Sequence, residues 1–123
     1  MHLVCAGTDG VVTAEDVLAA GAILDAAARD PAAGEDDLDP VARAAREAFR
    51  RLAAEHRGDL PAAIGRDFAT SRGGSNLVAL GMEADLGRCA RIDAIDLVPR
   101  LDRGSGELRP VAAGPGPADG ARE

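Results

Sequence analysis

The sequence predicts an α/β fold, a few strands packed by helices, on three observations. First, His2 to Ala6 is short and mostly apolar, and it runs through a Gly/Asp turn into a capped helix start. Second, Asp39-Pro40 opens a segment with Val41, Ala45, Ala48, Phe49 and Leu52 on one helical face. Third, Ile95, Leu97 and Val98 before Pro99 read as a strand, and Gly104-Ser105-Gly106 marks a hairpin between Leu101 and Val111.

The chain is organised around Val4 to Asp16. His2–Ala6 is the expected buried strand, and Gly7 and Gly10 permit the positive φ of a sharp turn. Thr13 is the expected N-cap, with Asp16 in the place of the usual Glu of a capping box. Such a junction offers backbone N–H groups and the positive end of a helix dipole, where phosphate and other anions bind. The same residues also read as nothing more than a well-capped turn.

The first helix continues through Val17 to Leu24, to about Arg29. It is apolar on every side, which predicts burial all round. Ala20, Gly21 and Ala22 let a neighbouring strand or helix approach closely. Asp30 to Asp39 is acidic and reads as a solvated loop, where Glu35, Asp36 and Asp37 face water rather than a metal. The amphipathic second helix follows, with His56 near its end. Asp59-Leu60-Pro61 restarts a helix to about Thr70. Ser71 to Asn76 breaks the pattern, Leu77 to Gly81 is a short helical segment closed by Gly81, and Glu83 to Arg91 is another. Asp93 reads as a cap. Asp85 reads as either a cap or a site residue. The domain spans residues 1–111, and the Gly/Pro/Ala stretch 112–123 is expected to be a disordered tail.

Composition limits the function classes. At 123 residues, one domain is expected. Phe49 and Phe68 are the only aromatic residues, so the core is built from aliphatic side chains and close-packed Ala and Gly. The formal charge of −7 argues against nucleic acid. The longest apolar run, Val17 to Leu24, is too short to span a bilayer. Cys5 and Cys89 form neither a disulfide framework nor a zinc pattern, and no leader pattern is read, so reduced thiols in a cytoplasmic protein are expected. A cysteine-phosphatase cradle would need Arg at position 11, where Val stands. No Gly-rich loop ends in Lys-Ser or Lys-Thr, so a nucleotide P-loop is absent.

Several spaced elements together resemble the 2-phosphosulfolactate phosphatase family. They are Cys5-Ala6-Gly7-Thr8-Asp9-Gly10, Glu15-Asp16, Ala20-Gly21-Ala22, Gly73-Gly74-Ser75-Asn76-Leu77 with Gly81, and then Asp85, Cys89, Asp93 and Val98-Pro99. They follow the family's order at about its spacing over residues 3 to 101. The resemblance implies a layered α/β/α-type arrangement, a small sheet flanked by helices. It also implies a Mg²⁺-dependent phosphatase acting on a small phosphorylated sulfonate in coenzyme M biosynthesis. Family members carry a further N-terminal half whose motifs are not found here, so this chain resembles the C-terminal half alone.

Phosphate-ester hydrolysis needs charge stabilised on the phosphoryl oxygens and a positioned nucleophile. The backbone N–H groups of Gly7, Thr8 and Gly10 suit the first task, and Arg72 beside Gly73-Gly74 suits a sulfonate or phosphate oxygen through its planar fork. Read as surface, Arg72 is a solvated side chain. Mg²⁺ prefers carboxylate oxygens, so Asp9, Glu15 and Asp16 are the candidate ligands, with Asp16 open to use as a cap instead. No catalytic residue is assigned. The expected partners are the small phosphoester, and either further copies of the chain or a separate N-terminal half without which it is inactive. The alternative is a non-catalytic remnant or small-anion-binding module that keeps the fold.

Overall fold

Helices dominate because the capping and breaking residues divide the first ninety or so positions into short amphipathic runs. The computed structural model describes residues 2–29 and 38–112. The chain forms two units, Met1–Ile92 and Asp93–Glu123. The first holds α1 (Ala14–Ala27), α2 (Pro40–Glu55), α3 (Leu60–Thr70), α4 (Arg72–Ala79) and α5 (Glu83–Cys89). The second holds an antiparallel pair, β1 (Leu97–Leu101) and β2 (Leu108–Ala112). Mostly helical with a small sheet, the architecture is consistent with the expected α/β class.

Each helix start has a local cause. Asp39 caps α2, its Oδ1 accepting from the N–H of Val41 at 2.8 Å and of Ala42 at 2.9 Å, with Pro40 at the first position. α3 begins at Leu60 and ends at Thr70, as the sequence predicts. Gly81, at φ 70°, closes α4. Its N–H donates to Val78 O at 3.0 Å and that of Met82 to Leu77 O at 2.9 Å, the two bonds of a Schellman motif.

The core lies where α1, α2, α3 and the end of α5 meet. Phe49, Ile64 and Ala90 are its buried centre, and Ala22, Leu52, Leu60 and Phe68 pack around them. Gly21 permits this. A methyl group built there would overlap the Ala45 carbonyl oxygen and come within 2.8 Å of Phe49 Cβ. The expected close approach therefore occurs, and the neighbour is a helix. Asp25 adds an ion pair across the same crossing, to Arg50 of α2, and a second to Arg29 at 3.2 Å.

Four local expectations are corrected. His2–Ala6 is not a strand: Val4 is 93% exposed, and the only ladder among the described residues lies in the other unit. α1 is not buried all round. Leu18, Gly21 and Leu24 are covered, while Ile23, on the opposite side, is 49% exposed. The expected break at Ser71 to Asn76 is instead the capped first turn of α4. Asp93 caps no helix: α5 ends at Cys89 with Ala90 as its cap, and Asp93 sits at φ 53° in the following turn.

The hairpin forms where Gly104-Ser105-Gly106 signals it, with β1 shifted toward the turn from the expected Ile95–Val98. Asp102 Oδ1 accepts from the N–H groups of Gly104 at 2.8 Å and Ser105 at 3.0 Å. These bonds hold its carboxyl below the ordinary aspartate range. No helix among the described residues is long and apolar enough to cross a membrane. The acidic loop with Glu35, Asp36 and Asp37 and the expected tail after Ala112 lie outside the described residues.

The close crossing sets a contrast between two glycines. Gly21→Val should lower the urea midpoint by an amount equivalent to about 1–3 kcal/mol, the usual effect of overpacking. Gly87→Ala in α5, with open space around the added methyl, should raise stability by roughly 0.5–1 kcal/mol. Equal midpoints for Gly21→Val and the parent would contradict the crossing described.

Candidate functional site

The amino end of α1 is fixed first. The Thr13 N–H and hydroxyl both donate to Asp16 Oδ2 at 3.0 Å. The Thr13 backbone bond, then its hydroxyl, hold the Asp16 carboxyl below its ordinary range against a small opposing effect of burial, and the Gly7 N–H adds to the lowering. The expected pairing of Thr13 with Asp16 is therefore present, and Asp16 is committed to the cap. Cys5 Sγ lies 3.8 Å from the Asp16 carbonyl oxygen. Cys5 and Cys89 are both unpaired thiols.

Just before the helix, Thr8 to Val11 folds on itself. Thr8 N–H donates to Val11 O at 2.9 Å and Val11 N–H to Thr8 O at 3.1 Å. Asp9 at φ 52° and Gly10 at φ 77° occupy the two left-handed positions, the pattern of a type I′ turn with its favoured Asp-Gly pair. Gly7 must also be glycine: at φ 70°, a Cβ would lie 2.5 Å from Val11 O. The Gly7–Gly10 segment is thus a hairpin turn three residues ahead of α1, which starts at Ala14. The Gly/Asp turn expected ahead of the Thr13-capped helix is therefore present. The Thr8 N–H is used inside the turn, and the Gly7 N–H faces Asp16.

The helix end that faces this turn is that of α4. Ser71 Oγ accepts from Gly74 N–H at 2.9 Å and donates to Phe68 O at 2.7 Å, so the α3–α4 corner is tied twice through one hydroxyl. A Cβ at Gly74 would overlap the Phe68 carbonyl, and one at Gly73 would overlap Glu15 Oε1 and come within 3.3 Å of Thr8 Oγ1. The glycine pair therefore has two different tasks. Gly74 lets the corner close, and Gly73 lets the α1 and turn side chains reach α4. Arg72 Nη2 pairs with Asp9 Oδ2 at 2.8 Å, both side chains more than half exposed.

The structure thus brings Thr8, Asp9, Glu15, Arg72 and Gly73 together, with Ser71 and Thr13 alongside. Sequence reasoning missed Ser71 and the ion pair, and read Thr13 as the N-cap alone. Burial raises the Glu15 carboxyl, but its polar neighbours, Ser71, its own backbone N–H and Thr13, outweigh it and hold it below its ordinary range. Glu15 Oε2 is out of contact with solvent and without a hydrogen-bond partner.

This donor set bears on the implied Mg²⁺. No three His, Cys, Asp or Glu side chains among the described residues are grouped to hold a metal ion. Of the three candidate ligands, Asp9 faces Arg72 and Asp16 is held in the cap. Mg²⁺ commonly uses one or two carboxylates, waters and substrate phosphate, and the unpaired Glu15 Oε2 fits one such place. For an anion, the exposed Arg72 guanidinium and the amino end of α4 offer charge-assisted donors side by side.

A family model described as 2-phosphosulpholactate phosphatase matches residues 1–104 of the 123. No curated protein and no solved structure matches.

The lowered Glu15 carboxyl fixes the sign of a pH effect. Glu15 favours the folded state when ionised, so its contribution is complete above the ordinary value of 4.5 and is lost as pH falls through the lower folded value. Glu15→Gln should therefore be less stable than the parent at pH 7, with the difference closing under acid. Urea midpoints at neutral pH and below the ordinary glutamate value check this, and a difference that widens under acid would refute it.

Proposed function

The chain belongs to the 2-phosphosulpholactate phosphatase family, and we propose that it takes part in hydrolysing a small phosphorylated sulfonate, with Arg72 and the amino end of α4 receiving the anionic oxygens. The observation that carries this reading is the meeting of the two family segments. The Thr8–Val11 turn and Glu15 lie against Arg72 and Gly73, although the segments are far apart in sequence.

The residues divide the work by their chemistry. Arg72 matches the planar geometry of a phosphate or sulfonate and orients it. The first-turn amides of α4 add the positive end of a helix dipole. Gly73 keeps that approach open. Glu15, ionised and with Oε2 unpaired, is the residue that would hold Mg²⁺. When bound, the ion would neutralise charge on the phosphoryl oxygens. Asp16 acts through the cap that fixes Glu15's helix turn. Coenzyme M biosynthesis, which the resemblance implies, and a cytoplasmic location, read from the two thiols, are parts of the same proposal.

A partner belongs to this reading too. Val11 and Val12, exposed beside the turn, leave apolar surface next to the site. We read it as covered in the working enzyme by a second copy or by a separate N-terminal half, the half that the resemblance implies. Sedimentation should show the purified chain self-associating, and a monodisperse monomer that hydrolyses the substrate unaided would refute it.

Phosphate release from 2-phosphosulfolactate, assayed with Mg²⁺ and with the complementary half co-expressed, tests the activity. Losing a charge-assisted bond costs about 1.5–3 kcal/mol. Arg72→Gln should therefore lower kcat/KM roughly tenfold or more, while Arg88→Gln, in an exposed pair with Asp85, should not. Phosphate binding without hydrolysis in any combination would favour the anion-binding module instead.

A further inference from the structure

We propose that Asp9 is a built-in competitor for the anion site: its carboxylate occupies Arg72 when no ligand is bound and is displaced when an anion arrives. This rests on the proposed role of Arg72. It adds a self-blocking contact and predicts an effect opposite in sign to that of a metal ligand.

The geometry supports it in three ways. The Asp9 carboxylate lies 2.8 Å from Arg72 Nη2 and so takes the place an anionic oxygen would need. It is held there by the backbone, since Asp9 sits at φ 52° on a turn closed by two bonds between Thr8 and Val11. That turn is itself seated on α4, with Thr8 Oγ1 within 3.3 Å of the Cβ position of Gly73. The pair is also weak enough to yield. With side chains 56% and 64% exposed, it belongs to the class of ion pairs worth about 0–1 kcal/mol. A phosphate carries more charge than one carboxylate and can add bonds to the α4 amides, so it displaces Asp9 at modest concentration. A monovalent anion gains less. The device therefore favours multiply charged ligands over chloride or acetate.

Asn is tolerated in the left-handed region, and Asn-Gly suits a type I′ turn as well as Asp-Gly does. Asp9→Asn thus removes the charge and keeps the turn. Calorimetric titration of the full chain with inorganic phosphate, at low ionic strength and without metal, is the test. Asp9→Asn should bind phosphate about two- to fivefold more tightly than the parent, the range that an exposed ion pair allows. Arg72→Gln should lose most of the binding in either background. Unchanged or weaker binding by Asp9→Asn, with Arg72 still required, would overturn the competitor role and leave the Arg72 reading standing. No phosphate binding by the parent or by Asp9→Asn would overturn both.

Discussion

The missing side chain at Gly21 is the constraint on which the rest of the helical unit depends. It lets α2 settle onto α1 so that the Ala45 carbonyl and Phe49 Cβ meet the α1 backbone directly. Phe49 then reaches Ile64 of α3 and Ala90 after α5. With two phenylalanines and no other aromatic residue in the chain, one ring at the centre of four segments carries much of the packing. The position of α3 fixes its last turn, and Phe68 there both packs on the core and offers its carbonyl to Ser71. Gly74 closes tightly over that carbonyl. The direction of α4 follows, and with it the placement of Arg72 beside the turn that precedes α1.

Electrostatics around the site follow from this closure. The protein is acidic, at −7, and three carboxylates lie within one stretch, yet each has a different environment. Asp16 turns inward to Thr13, Glu15 lies against Ser71 and Thr13, and Asp9 reaches out to Arg72. The hydrogen bonds to Asp16 and Glu15 favour their charged forms, so their negative charge remains, and Arg72, paired with Asp9, is the positive charge set against it.

Much of the architecture was legible because it is encoded locally. Caps and breakers are short-range chemistry, so Thr13, Asp39, Leu60 and Gly81 mark helix ends correctly. The Gly104-Ser105-Gly106 hairpin is local in the same way. The resemblance placed the right segments in one family without showing how they meet. The failures had physical reasons. His2–Ala6 has strand-like composition, but a strand requires a partner, and pairing is not written in the strand itself. The Gly73-Gly74 pair looks like a break because Gly is a poor helix former. It is tolerated here because Ser71 caps the turn and both glycines stand where a side chain would collide. The Asp9-Gly10 turn carried a readable hairpin signal, yet its pairing with Arg72 joins residues that only the tertiary fold brings together.

The hairpin shows a different way of handling exposed surface. Alternation places Leu97, Pro99, Leu101, Leu108 and Pro110 on one side, and Val98, Arg100, Arg109 and Val111 on the other. A two-stranded ribbon is marginal unless its apolar side is covered, and here Leu101 and Leu108 both remain exposed. Open edges usually invite further strands. Yet Pro99 lies opposite Pro110, and neither can donate to a ladder, so each strand carries a residue that interrupts edge pairing. The sequence therefore discourages growth of the sheet sideways while leaving its apolar side available. Association through this unit, where it occurs, is thus directed to the face of the ribbon and away from its edges.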